Sequence, residues 1–170
     1  MTVQTMPNPA VQDNADTAFS DQEDMFVTLT VAEQLCGIPV LAVRDILGPQ
    51  TITRIPLAPP EVSGSLNLRG RIVTTIDLRC RLQLQPRPPG VPAMSVVAEQ
   101  NGELYALLVD QVAEVMSLPR RQFEPNPPTM RPEWAHFSTG IYRLQGRLLA
   151  VLDVPQLLSL SHRQPTRSTP

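Results

Sequence analysis

The sequence predicts an all-β protein built from two similar five-stranded β-barrels. The segment 64–82 returns at 140–158 without a gap, and apolar residues fall in short runs of about four to eight, a usual strand length. Nineteen prolines, clustered between these runs, favour short strands joined by stiff loops. Because closing a sheet removes its exposed edges, two copies of a five-strand unit are expected to form two small barrels.

Strand-like runs follow one another through both copies of the repeat. They are 25–31, 37–43, 71–76, 94–100, 103–109 and 147–152. Asn-Gly within 100–103 lies between two such runs and predicts a two-residue hairpin turn. The segments 42–47 and 110–116 resemble single helical turns, and 77–82 and 153–158 resemble short helices that close each copy.

The two copies extend upstream of the segment in which they are most similar. There, 43–46 corresponds to 112–115 and 51–56 corresponds to 120–125, now with an offset of 69 residues. Each half therefore contains the same order of strands, turns and closing helix. A barrel of about 60 residues is marginal on its own. The two barrels are thus expected to pack on each other, with a groove along their seam.

The Pro-rich stretch 85–93 separates the two copies within a globular region at 25–158. The expected boundaries are a first barrel at 25–85, a second barrel at 93–158, a disordered acidic tail at 1–24 and a flexible C-terminal tail at 159–170. The N-terminal tail has five acidic residues, no basic residue and few large apolar groups, so it lacks a face to bury. An exchange of strands between the two barrels is left open.

The composition argues against several classes of function. The net charge is −2, whereas nucleic-acid binders normally show a strong basic bias. No apolar run approaches the roughly 20 residues of a membrane span, and the N-terminus does not resemble a signal peptide. Cys36 and Cys80 do not form a CxxC pair and are expected to be buried free thiols. We therefore expect a soluble cytoplasmic protein without metal or cofactor.

No combination of residues predicts an enzyme. His136 and His162 are the only histidines, and no HExxH, CxxC pair or P-loop occurs. Asp77 and Asp153 stand at equivalent positions, and a pair of catalytic acids is one interpretation. The preferred one is helix capping, because each follows a strand and precedes a short helix whose first backbone N–H groups are free. Gly70 and Gly146 are expected in the turn before the last strand of each copy.

Arg69 differs between the copies although its neighbours do not. Gln145 stands at the equivalent position, while the Gly and Arg that follow are kept. An Arg needed only to hold the turn should occur in both copies, so we expect a role that is specific to the first half. The planar, multiply donating guanidinium suits a protein interface. Asn67, matched by Arg143, shows the same asymmetry.

The apolar residues beside this region have two interpretations. Val43, Ile46, Val112 and Val115 either belong to the barrel core or line the groove between the barrels, where an apolar strip could receive a partner helix.

Four segments resemble the CheW family of chemotaxis coupling proteins. They are CGIPVLAVRDIL (36–47), TRIPLAPPEVSGSLNLRGRIVTTIDLRCRL (53–82), LYALLVDQVAEVMSLP (104–119) and FSTGIYRLQGRLLAVLDVPQLL (137–158). The stretch GSLNLRGRIVTTIDLR is the most specific part. The resemblance covers about residues 25–158. It implies two pseudo-symmetric, five-stranded SH3-like barrels with short helices around a shared hydrophobic core, and a scaffold without enzyme activity or cofactor.

The resemblance also implies partners. A member of this family would join the regulatory domain of the histidine kinase CheA to the cytoplasmic hairpin tips of chemoreceptors, in the cytoplasm at membrane-associated receptor arrays and without inserting into the membrane. The receptor contacts that it implies are Val43, Asp45, Ile46, Gly64, Arg69 and Val112.

The sequence departs from the family pattern in a few places. Asp45 stands where Glu is usual, Thr74 and Thr75 stand where a Pro and an aliphatic residue are common, and Cys36 stands where an aromatic residue is frequent. The Asp45 change leaves open a coupling protein of a twitching or other non-flagellar array. A small β-barrel that binds nucleic acid is the alternative from another class, and the low aromatic content argues against it.

Overall fold

The computed structural model describes residues 22–160, which form ten strands and three short helices. The strands are β1 (Glu23–Val31), β2 (Gln34–Pro39), β3 (Val43–Leu47), β4 (Val62–Leu68), β5 (Arg71–Asp77), β6 (Met94–Gln100), β7 (Glu103–Val109), β8 (Gln111–Pro119), β9 (Ser138–Leu144) and β10 (Arg147–Leu152). The helices are α1 (Leu78–Arg81), α2 (Pro132–Phe137) and α3 (Val154–Leu158). The prediction of an all-β fold with short helices is confirmed.

The ten strands form two five-stranded sheets with matching strand orders. Sheet A has the order β8-β1-β2-β10-β9, and sheet B has the order β3-β6-β7-β5-β4. Shifting every strand by five positions in the chain converts one order into the other, as the sequence repeat requires. Each sheet inserts a hairpin from one half between strands of the other half. The ranges 25–85 and 93–158 therefore do not form one sheet each, because strands are exchanged between them.

One hydrophobic core joins the two sheets. Leu29 and Ile38 of sheet A and Ile76 and Leu107 of sheet B are fully buried in the same cluster. A smaller cluster packs against each sheet separately, around Phe26, Leu35, Tyr142 and Leu149 for sheet A and around Leu66, Val73, Val97 and Ala106 for sheet B. The central strands thus bury apolar side chains on both faces, which explains why their sequences read as nearly continuous apolar runs.

Two predicted elements have a different conformation. The segments 42–47 and 110–116, predicted as helical turns, mainly form β3 and β8. β-Branched valine and isoleucine favour strands, and each segment pairs with a neighbouring strand, β6 or β1. The predicted match of 51–56 to 120–125 is also displaced. Thr53 pairs with Ser65, and Glu124 pairs with Ile141, so Thr53 and Glu124 are the equivalent loop residues. They are 71 residues apart, whereas the sequence predicted an offset of 69.

The predicted tails and thiols need correction too. Glu23 and Asp24, predicted in the N-terminal tail, are the first residues of β1, and residues 1–21 lie outside the described range. Of the predicted C-terminal tail, Leu160 packs against the main core, and 161–170 lie outside the described range. Cys36 is buried as predicted, but Cys80 is exposed, because it lies on the outer side of the one-turn helix α1.

Candidate functional site

The β4–β5 hairpin turns through Arg69 and Gly70. Leu68 pairs with Arg71, so only these two residues form the loop. Their φ angles are +52° and +83°, which places both in the left-handed region that a type I′ hairpin turn requires. The Oδ1 atom of Asn67 accepts a hydrogen bond of 2.9 Å from the Gly70 N–H. This turn presents the Arg69 side chain to solvent, with 85% of it exposed.

Arg69 forms an ion pair with Asp45 on β3. The distance between Arg69 Nη2 and Asp45 Oδ2 is 3.6 Å, longer than a hydrogen bond, and Asp45 Oδ1 accepts from the Ile46 N–H at 2.8 Å. Within residues 22–160, no hydrogen bond from the Arg69 guanidinium is present. Since β3 and β4 are opposite edges of sheet B, the pair also shows that this sheet curls until its edges approach each other.

Gly64 lies on β4 where a loop passes close to the strand. Ser65 and Thr53 exchange two backbone hydrogen bonds of 2.8 Å, and a Cβ at Gly64 would overlap the Thr53 carbonyl oxygen. Gly140 has the equivalent position in the second copy, where a Cβ would overlap Phe123 and the Glu124 carbonyl. The shared glycine of the repeat therefore has a packing role in both halves.

The apolar residues of the predicted site divide into two groups. Val43 and Val112 are partly buried and pack against the main core. Ile46 and Val115 are 39% and 52% exposed. Leu41, just before β3, is 94% exposed and was not singled out from the sequence, because one leucine in a short apolar run gives no such signal. The structure thus brings Asp45 and Arg69 together, whereas Ile46 alternates with Asp45 along β3 and faces the other side of the strand. Val43 and Val112 keep a partly exposed surface beside their packing contacts.

The β9–β10 hairpin of the second copy differs in its turn. Leu144 pairs with Arg147, which leaves Gln145 and Gly146 as the loop. Gly146 has a φ of +70°, but Gln145 is outside the left-handed region. Arg143, which replaces Asn67, forms an ion pair with Glu124 at 3.0 Å between Nε and Oε2. An arginine in a left-handed turn fixed by an asparagine is therefore specific to the first copy.

Asp77 and Asp153 are helix caps. The Oδ1 atom of Asp77 accepts from the Arg79 N–H at 2.9 Å, and Oδ1 of Asp153 accepts from the Gln156 N–H at 3.2 Å. Within the range described, no group of three or more His, Cys, Asp or Glu residues is arranged to hold a metal ion. Both carboxylates thus cap short helices, as their positions in the sequence predicted, and Asp77 Oδ2 also lies 3.6 Å from Arg87 Nη1.

Asp110 connects the two halves and was not predicted. Its carboxylate accepts hydrogen bonds from Arg79 Nη2 at 2.7 Å, from Arg87 Nη2 at 2.9 Å and from the Ala32 N–H at 2.7 Å. All three charged side chains are less than a fifth exposed. Burial acts to raise the pKa of Asp110, but the hydrogen bonds from Arg79, Ala32 and Arg87 together hold the pKa below its ordinary value.

Sheet A carries a concave, largely apolar surface. A cavity of about 720 Å³ on sheet A is lined largely by apolar and aromatic side chains, among them Phe26, Leu41, Phe123 and Tyr142. Of the helices between residues 22 and 160, none has the length and apolar character needed to cross a membrane.

Comparisons with known proteins agree with this architecture. A family model described as a CheW-like domain matches residues 25–162. The chemotaxis protein CheW of Klebsiella aerogenes is 32% identical over 134 residues, which cover 79% of this chain and 81% of that protein. The chemotaxis protein CheW of Rhizobium meliloti is 27% identical over 138 residues, covering 81% and 89%.

A solved structure shows the same fold. The crystal structure of the scaffolding protein TtCheW from Thermoanaerobacter tengcongensis superposes with a TM-score of 0.74 at 27% identity, covering 82% of this chain and 95% of that one. The family model spans most of the chain. The strand content and two-sheet architecture of this chain agree with the solved structure. The chain therefore belongs to the CheW family of chemotaxis proteins, which are non-catalytic scaffolds.

Proposed function

We propose that this protein couples chemoreceptors to the histidine kinase CheA, and that Arg69 contacts the receptor. The observation that carries this proposal is the state of the Arg69 side chain. It is largely exposed, its only described partner is Asp45 at 3.6 Å, and it makes no hydrogen bond within the described residues. Its donors are therefore available to carbonyl or carboxylate oxygens of a partner.

The surroundings of Arg69 support a protein partner. Two exposed apolar residues flank Asp45 in the chain: Leu41 just before β3 and Ile46, which directly follows Asp45 and faces the other side of the strand. The second copy has neither the left-handed arginine nor the Asn-fixed turn. We infer that the first hairpin contacts the receptor, and that the kinase regulatory domain binds through other surfaces, in the cytoplasm at receptor arrays.

Replacing Arg69 with Gln tests the proposal. Receptor binding should weaken by about 2 kcal/mol or more, as expected for a hot-spot side chain. That loss corresponds to more than a tenfold increase in Kd, measured by calorimetry with a receptor hairpin-tip fragment. Unfolding in urea should change by less than about 1 kcal/mol, because Arg69 is exposed and its ion pair is long. CheA binding should remain unchanged.

The second hairpin supplies a matched control. Arg143 is also an exposed arginine in a hairpin, with 61% of its side chain accessible, and Arg143→Gln should leave receptor affinity as it is. An unchanged receptor affinity in Arg69→Gln, or an equal loss of receptor and kinase binding, would return Arg69 to a structural role. A pull-down from the native cell then identifies whether the kinase and receptors belong to a flagellar, twitching or other array.

A further inference from the structure

The left-handed conformation of Arg69 needs an explanation. Arginine is uncommon at positive φ, and the first central position of a type I′ turn is usually Asn, Asp or Gly. The β6–β7 hairpin has this preferred pair, Asn101 and Gly102, with φ values of +53° and +78°. The β4–β5 hairpin adopts the same signs of φ with an unfavourable residue. Something other than intrinsic preference must therefore hold it there.

The β1–β2 hairpin shows how this fold holds such a turn. Its two loop residues, Ala32 and Glu33, are both at positive φ, +48° and +69°, and neither is favoured there. The N–H of Ala32 donates to the Asp110 carboxylate at 2.7 Å. In the β4–β5 hairpin, the N–H of Gly70 donates to Asn67 Oδ1 at 2.9 Å. In both hairpins with a disfavoured residue at positive φ, a side-chain oxygen accepts from a backbone N–H of the loop.

The second copy lacks both the acceptor and the conformation. Arg143 at the position of Asn67 carries only donors and pairs with Glu124. Gln145 at the position of Arg69 is not left-handed. The two copies share the strand register and the glycine of the turn, so the difference in backbone conformation accompanies two side-chain differences, Asn67 against Arg143 and Arg69 against Gln145.

We propose that Asn67 is a positioning residue for receptor recognition, an inference that rests on the proposed role of Arg69. The Asn67–Gly70 hydrogen bond holds Arg69 at positive φ, and this conformation directs its guanidinium toward Asp45 and the exposed edge of sheet B. Recognition then depends on the turn conformation as well as on the charge. A chain that keeps Arg69 but lacks the acceptor at position 67 would hold the Arg69 guanidinium in many different orientations.

Three substitutions at position 67 test this inference. Asn67→Ala removes the acceptor, Asn67→Arg installs the residue of the second copy, and Asn67→Asp keeps an acceptor oxygen and is the rescue variant. The conformation is measured by NMR from the intraresidue Hα–HN Overhauser effect of Arg69, which is strong only at positive φ. Affinity for the receptor fragment and for the CheA regulatory domain is measured on the same samples.

The expected result is a parallel change in conformation and receptor affinity. In Asn67→Ala and Asn67→Arg, the left-handed population of Arg69 should fall and the receptor Kd should rise about three- to tenfold, in proportion to the lost population. Asn67→Asp should restore the left-handed conformation and most of the affinity. CheA affinity should be unchanged in all three variants, because a turn exposed on one hairpin does not support the rest of the fold.

The Arg69→Gln variant separates this inference from the proposed function. In that background, Asn67→Ala should cause no further loss of receptor affinity, since there is no guanidinium left to position. If Arg69→Gln binds receptor normally, the proposed receptor contact of Arg69 is overturned, and the NMR measurement alone decides whether Asn67 holds the turn. If Arg69→Gln weakens binding but Asn67→Ala does not, or if Arg69 stays left-handed in Asn67→Ala, the inference is overturned.

Discussion

Neither half of the chain is expected to fold when the polypeptide is cut at Pro88. The cut separates the β1–β2 hairpin from β8 and β10, and the β6–β7 hairpin from β3 and β5. Each fragment would expose its side of the shared core, including Leu29 and Ile38 in the first half and Leu107 in the second. Chains of this size with an open core are too small to be stable alone.

Fragments 1–88 and 89–170 provide the measurement. Each alone should be insoluble or give the narrow amide dispersion of an unfolded chain in a 1H–15N spectrum. Refolded together, they should give the spectrum of the uncut protein, because each supplies the strands that the other lacks. The intact chain refolded from the same denaturant is the control. A soluble, monomeric half with a dispersed spectrum would contradict the dependence of each sheet on both halves.

Replacing Asp110 with Asn is expected to destabilise the protein by about 3–5 kcal/mol, the usual cost of removing one partner from a buried charge network. Arg79 and Arg87 would remain largely buried without the Asp110 carboxylate, and within residues 22–160 Arg87 would keep only a longer ion pair of 3.6 Å with Asp77. The Ala32 N–H of the β1–β2 turn would lose a charged acceptor as well. Urea unfolding measures the change, with Asp45→Asn as the control. That control should lose less than about 1 kcal/mol, because the Asp45 ion pair is long and exposed.

The effect of Asp110→Asn should also depend on pH. The folded-state pKa of Asp110 lies below its ordinary value of about 3.9. A depressed pKa contributes stability that is present above the unfolded-state pKa and is lost as pH falls through the folded-state pKa. The stability gap between wild type and variant should therefore be constant near neutral pH and narrow below about pH 4. If the difference in unfolding free energy between wild type and Asp110→Asn has the same size at all pH values, the Asp110 carboxylate is not its cause.

Several features of the fold follow from local sequence. The Asn101–Gly102 turn, the Asp77 and Asp153 caps and the two copies of the unit depend on residues close to one another in the chain. Strand exchange does not, because an apolar run such as 103–109 shows no preference for a partner strand in its own copy or in the other. The similarity of the copies makes both pairings equally consistent with the sequence.

The candidate site shows the same division between local and distant information. Arg69 could be singled out because its repeat partner is Gln145, a comparison that the sequence itself supplies. The Asp110 network could not, since Ala32, Arg79 and Arg87 lie 23 to 78 residues away from it in the chain. Cys80 was misjudged because a helix of four residues has too little periodicity to show which side faces outward. The proposed role of Asn67 rests on a comparison of the φ angles in four hairpin turns, which the sequence does not supply.

Strand exchange also sets the time at which the protein can fold during its synthesis. The β1–β2 hairpin leaves the ribosome first, but both of its neighbours in sheet A belong to the second half of the chain. At translation rates of about 5–20 residues per second, the roughly 70 residues between β2 and the start of β8 correspond to a delay of roughly 4–14 s, and the roughly 110 residues between β2 and the start of β10 to roughly 5–22 s. During that interval Leu29, Ile38 and Cys36 remain without their covering strands. The nascent first half is therefore expected to be a substrate for ribosome-associated chaperones.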